Sequence, residues 1–113
     1  MQISYLRDLL EASVLCGEDR LEEDVSTVFA SDMMSDVLAC PDELQCMLTG
    51  LINSQVIRTA DMMDIGLIVF VRGKCPPEDG VEMARQRDMV VLVTDCRMFS
   101  ACGRLYAAGL GCR

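Results

Sequence analysis

Two short stretches hold the residue types from which a site could be built. The first is Ser31-Asp32-Met33-Met34-Ser35-Asp36. On a helix, residues four apart such as Asp32 and Asp36 share a face. Two carboxylates so placed can hold a divalent cation or divide general acid and base between them. The competing reading is structural: Ser31 or Asp32 caps a short helix by accepting from its free N–H groups, and the acids offset the positive end of its dipole. Capping is the favoured reading. The second stretch is Thr49-Gly50-Leu51-Ile52-Asn53, with Arg72-Gly73 on a neighbouring loop. Backbone N–H groups at a helix start, helped by a guanidinium, can bind a phosphate or a carboxylate. Equally, Gly50 allows a turn, Asn53 caps the helix and Arg72 offsets nearby acids. Both readings of the second stretch stay open.

Much other chemistry is excluded by absence. The 113 residues include no His, which removes the common acid–base triads and most zinc hydrolase sites. There is no Walker A loop, no Gly-x-Gly-x-x-Gly and no Gly-x-Ser-x-Gly. Gly109-Leu110-Gly111 reads as a helix terminator. The seven Cys (16, 40, 46, 75, 96, 102 and 112) are odd in number and show no Cys-x-x-Cys spacing. They read as reduced thiols, mostly small buried apolar residues, with Cys75 and Cys112 expected at the surface. Neither a metal nor a cofactor is expected, and the chain does not read as an enzyme.

Charge and hydropathy narrow the partners. With 18 acids against 10 bases the net charge is −8, so a phosphate backbone would be repelled. Arg85, Arg87, Arg97 and Arg104 come nearest to a basic cluster but read as solvated faces, and nucleic acid is not expected. Met1 opens directly onto a helical pattern (Ile3, Leu6, Leu9, Leu10), and the longest apolar run, 66–71, is far short of a membrane span. The expectation is a soluble cytoplasmic protein without a membrane contact. Only 4% of residues are aromatic, so Leu, Val, Ile and Met must build the core, and the nine Met make that packing adaptable.

The elements that would position these residues alternate between helix and strand. Apolar spacing predicts a helix over 2–12 and a short strand over 13–16, closed by the turn Gly17-Glu18-Asp19-Arg20. A strand over 25–30 leads to the helix capped by Ser31 or Asp32, which ends before Pro41. A strand over 44–49 precedes a helix capped by Asn53 or Ser54. Residues 66–71 form the clearest strand, apolar throughout and hence covered on both faces. A helix from Pro77 to about Arg87, a strand over 89–94 and a last helix capped by Asp95 complete the chain. Strands separated by helices of this length predict βαβ units and a mostly parallel sheet, an α/β layered domain over residues 1–113. Ligands in such folds gather at the carboxyl ends of the strands. Those ends place Ser31, Asp32, Thr49, Gly50, Asn53, Arg72, Gly73 and Thr94 around one shallow polar cleft.

Taken in order, the segments resemble the DRTGG domain family. The likeness rests on Val14-Leu15-Cys16-Gly17, on residues 30–39 (Ala-Ser-Asp-Met-Met-Ser-Asp-Val-Leu-Ala), on Thr49-Gly50 before a helix and on residues 66–73 (Gly-Leu-Ile-Val-Phe-Val-Arg-Gly). A Pro-Glu helix start, then residues 90–95 (Val-Val-Leu-Val-Thr-Asp), Phe99 and Gly103-Arg104-Leu105-Tyr106 continue it. The five-residue string that names the family does not occur. The resemblance implies an accessory bacterial module of the kind that accompanies CBS pairs in regulated pyrophosphatases, and it is similar to the non-catalytic amino-terminal domain of HPr kinases. It implies a homodimer with no catalytic residue set. The function expected is a regulatory domain sensing a nucleotide or other small anion. The alternative is an interaction module for a redox or signalling enzyme, such as a hydrogenase, without a ligand. Met33, Met34, Met62 and Met63 would supply its adaptable contact surface.

Overall fold

The apolar runs in the second half of the chain are continuous because alternate side chains enter two different cores. Leu67, Val69, Val90 and Leu92 point to one face of a sheet, while Ile68, Phe70 and Val91 point to the other. The computed structural model describes residues 1–111; Cys112, expected at the surface, lies outside the described residues. It shows a five-stranded sheet in the order β1-β5-β4-β3-β2. The strands are β1 (Ser13–Cys16), β2 (Val28–Ala30), β3 (Cys46–Thr49), β4 (Leu67–Phe70) and β5 (Val90–Val93). β2, β3, β4 and β5 run parallel, and β1 joins β5 antiparallel at one edge.

The parallel pairs are joined by α2 (Met34–Leu38), α3 (Ser54–Met62) and α4 (Glu78–Gln86). These three helices bury Met34, Val37, Val56, Ile57, Ala60 and Ala84 on the face that carries Met47, Ile68, Phe70 and Val91. α1 (Ile3–Leu10) and α5 (Met98–Ala107) cover the opposite face with Ile3, Leu6, Leu10, Ala101 and Leu105. The architecture is therefore three layers, helices on both faces of a sheet that is mostly parallel, and the layered α/β class and the mostly parallel sheet are those the sequence pattern predicts.

Three boundaries differ from expectation. β2 begins at Val28 rather than Val25, because the preceding residues are held by other partners: Val25 N–H donates to the Met1 carbonyl (2.8 Å) and Ser26 N–H to Gln45 Oε1 (2.6 Å). α2 begins at Met34, with Met33 in the cap position and no side-chain cap. Asp32 thus precedes the helix, and the pairing of Asp32 with Asp36 on one helical face does not form. α5 begins at Met98 behind Arg97, so Asp95 is not its cap. Asn53 caps α3 as expected, accepting from Gln55 N–H at 3.0 Å. Among the described residues no helix is long and apolar enough to cross a membrane.

Candidate functional site

Parallel strands end together, so the loops after β2, β3, β4 and β5 meet along one edge of the sheet. Thr49 closes β3, fully buried and in register with Phe70 of β4, and Gly50 follows it. Asp32 reaches them from the β2–α2 loop. Its Oδ1 accepts from Gly50 N–H at 2.7 Å and from the Thr49 hydroxyl at 3.3 Å. Its Oδ2 meets Arg72 Nη2 at 3.4 Å. The Thr49 hydroxyl in turn accepts from Leu51 N–H at 3.1 Å. Backbone, hydroxyl and guanidinium donors from two strand ends thus converge on one carboxylate. Arg72 and Asp32 remain 46% and 45% exposed, so the ion pair itself is screened and contributes about 0–1 kcal/mol.

Arg72 is held in place by its main chain. Its N–H donates to the Cys96 carbonyl (2.8 Å), and Gly73 N–H donates to the Thr94 carbonyl (2.9 Å). Both residues adopt left-handed backbone, φ 62° and 66° respectively. For Gly73 that costs little; for Arg72 it costs roughly 1–2 kcal/mol. The β4–α4 loop is thereby bonded to the β5–α5 loop.

Of the residues expected around the cleft, Asp32, Thr49, Gly50 and Arg72 come together in one hydrogen-bonded cluster, and Gly73 and Ser31 flank it in the chain. The Ser31 hydroxyl accepts from Met33 N–H (3.0 Å) and turns the chain locally. Asn53 is exposed and engaged in capping. Thr94 is buried, donating its hydroxyl to the Leu10 carbonyl (2.6 Å) and accepting from Cys96 N–H (3.1 Å), which ties the end of α1 to the sheet. Its hydroxyl therefore faces the protein interior. Asp95, read as a cap, instead stands at the rim, its Oδ1 3.0 Å from where a Cβ on Gly73 would lie.

Three of the thiols are shielded from reaction. Burial pushes the Cys16, Cys46 and Cys102 thiols above their ordinary range, which keeps them protonated at neutral pH. Cys75 is exposed, as expected. Among the described residues no three Cys, Asp or Glu side chains gather as a cation site. Of the methionine pairs, Met34 is buried in the core, while Met33 and Met62 are 60% and 75% exposed.

A further surface lies on α5, beyond the cleft residues singled out by sequence. On α5, Phe99 (90% exposed) and Tyr106 (66% exposed) bracket Cys102 and Gly103 beside edge strand β2, framing an apolar groove of about 430 Å³. The spacing 99, 102, 103, 106 is a helical stripe. Sequence alone does not distinguish it from the second stripe on α5, Ala101 and Leu105, which fills the core.

Fold and geometry together define a layered α/β domain in which hydrogen-bond donors gather around Asp32 at the carboxyl edge of the sheet. Among solved structures, the chain is similar to the CBS and DRTGG domains of the regulatory region of Clostridium perfringens pyrophosphatase, a structure in complex with the activator diadenosine tetraphosphate. The TM-score is 0.76 at 15% sequence identity, over 97% of this chain and 48% of that one. The chain thus has a DRTGG-like fold and spans about half the length of the chain it matches. No protein-family model and no curated protein sequence matches it.

Proposed function

We propose that this chain is a non-catalytic regulatory module that senses a small anion, such as a nucleotide, at the carboxyl edge of its sheet, and that it works in the cytoplasm as a homodimer. The observation that carries the ligand reading is the convergence of Gly50 N–H, the Thr49 hydroxyl and the Arg72 guanidinium on one carboxylate. Donors that satisfy a carboxylate also suit a phosphate oxygen. The likeness in fold to a regulatory region solved with a nucleotide activator supports the same reading. Thermal-shift and calorimetric titrations with ADP, ATP and inorganic pyrophosphate test it. A ligand selective for the folded state raises the melting temperature, and Arg72→Ala abolishes the rise. No response to any of the three anions sinks the ligand reading.

The homodimer is supported by the α5 stripe. Its residues are symmetric about positions 102 and 103, so an antiparallel second copy sets each Phe99 opposite Tyr106 of the other and brings the small residues Cys102 and Gly103 of the two copies together. The groove lining, Val28, Ala30, Leu48 and Phe99 among it, includes no acid, so two copies of a chain of charge −8 meet there without opposing like charges. Light scattering at tens of micromolar, a range chosen for a roughly micromolar dimer, reads the state. Dimer for the native chain and monomer for Phe99→Asp support it; a native monomer turns the same surface toward the second reading, an adaptor without a ligand.

A further inference from the structure

We infer that Asp32 is the resident occupant of the anion site, a tethered carboxylate that an external phosphate or carboxylate must displace. The inference rests on the ligand reading above and adds its regulation. Two of the donors, Gly50 N–H and the Thr49 hydroxyl, are fixed, and the third, the Arg72 guanidinium, ends a flexible side chain on an anchored main chain. Thr49 is fully buried and paired in the sheet, Gly50 is buried behind it, and the Arg72 main chain is bonded to the Cys96 carbonyl. The acceptor is not fixed in the same way. Asp32 lies in an exposed loop, outside α2 and without a capping role. Gly50 N–H and the Thr49 hydroxyl have one proton each, and both are spent on Asp32 Oδ1. An incoming anion cannot use either until Asp32 leaves, and its charge repels the carboxylate at the same point. Arg72 has five N–H donors and can serve whichever anion is present.

A site competent for only part of the time shows its intrinsic dissociation constant divided by the competent fraction. Removing the occupant therefore tightens binding. Calorimetric titration at low salt with inorganic pyrophosphate and with ADP, on the full chain, compares native protein with Asp32→Ala. The expected result is roughly tenfold or greater tightening, the inverse of a competent fraction of about one tenth. Asp32→Asn keeps an acceptor oxygen but loses the charge assistance, so it falls between the two. It also serves if the alanine variant folds poorly, which melting in anion-free buffer reveals. Equal affinities for native and variant proteins overturn the tethered occupant while leaving anion binding intact. Weaker binding by the variants also overturns it, making Asp32 part of the ligand's own contact set. No binding by any of them overturns the ligand reading, and the occupant with it. Tightening for ADP but not for pyrophosphate assigns the released space to the nucleoside and overturns displacement of Asp32 by a phosphate.

Discussion

The guanidinium of Arg72 lies over the α-carbon of Gly50. A Cβ built on Gly50 would stand 2.7 Å from Arg72 Cζ and 2.9 Å from Nε. Gly50 is therefore the seat on which the cation rests, and the seat exists because position 50 lacks a side chain. In Gly50→Ala the methyl displaces the far end of a flexible side chain, which gives way at small cost. The screened Arg72–Asp32 pair is worth about 0–1 kcal/mol, so the melting temperature falls by only a few degrees, at roughly 4–8 °C per kcal/mol. Anion response in the same thermal-shift assay is lost. An alanine variant that still responds like the native chain would show that Arg72 need not lie over position 50.

Arg72 separates stability from function. Its φ of 62° disfavours a residue with a side chain. Arg72→Gly relieves roughly 1–2 kcal/mol of backbone cost while giving up a screened ion pair, so urea midpoints stay level or rise. Ligand response disappears. A strongly destabilised glycine variant would mean that the guanidinium holds the fold rather than the site.

Two glycines should respond to alanine in opposite directions. Gly17 has φ 86°, and a Cβ there would meet Val90 Cα at 2.7 Å and the Met89 carbonyl oxygen at 2.9 Å, both backbone atoms. Gly17→Ala is expected to destabilise by roughly 2–3 kcal/mol, combining left-handed strain with overpacking. Gly103 sits inside α5 with nothing within 4 Å of its would-be Cβ. Gly103→Ala is expected to stabilise the monomer by roughly 0.5–1 kcal/mol through helix propensity while weakening self-association. Urea denaturation and light scattering on the two variants check both statements.

Thr94→Val tests what the buried hydroxyl does. The isosteric change leaves the Leu10 carbonyl without its donor and Cys96 N–H without its acceptor. A loss of about 1–3 kcal/mol is expected, with anion affinity unchanged at temperatures where the variant is folded. Lost affinity in a stable variant would return Thr94 to the ligand's contacts.

Alkaline pH should loosen the fold through Cys46. Burial raises its folded-state pKa far above the ordinary 9.0. Above pH 9 the unfolded thiol sheds its proton while the folded one keeps it. The native state then binds more protons than the unfolded state, and stability falls as pH rises. Its contribution is fully present below pH 9 and declines by about 1.4 kcal/mol per pH unit above it. Urea midpoints from pH 8 to 10 follow that slope, and Cys46→Ala flattens it in part. An unchanged slope in the variant would assign the effect elsewhere.

The sheet was legible because its signal is local and redundant. The runs over Leu67–Phe70 and Val90–Val93 admit no polar face, and the Pro-Glu start at 77–78 and Asn53 before α3 mark helix entries through chemistry confined to three or four residues. The beginnings of β2 and α2 were less legible. They depend on Met1, Gln45 and Gly50, from distant parts of the chain, engaging Val25 N–H, Ser26 N–H and the Asp32 carboxylate respectively.

The site divides in the same way. By themselves, the residues determined the alternating order of helix and strand and a mostly parallel sheet, and brought Asp32, Thr49, Gly50 and Arg72 to one edge, because parallel strands must end together; that helices cover both faces came from the packing. Spacing also named Thr49, Gly50 and Arg72, the groups that meet Asp32. Only the tertiary structure decided that those donors already hold Asp32, that Thr94 turns inward to Leu10, and that Arg72 lies over Gly50. Each is a contact between segments at least 17 positions apart, and one-dimensional periodicity carries no record of which distant partner a hydrogen-bonding group will choose. The stripe on α5 shows the converse limit. Phe99, Gly103 and Tyr106 were readable as a helix face, but only the packed sheet showed that this face remains uncovered.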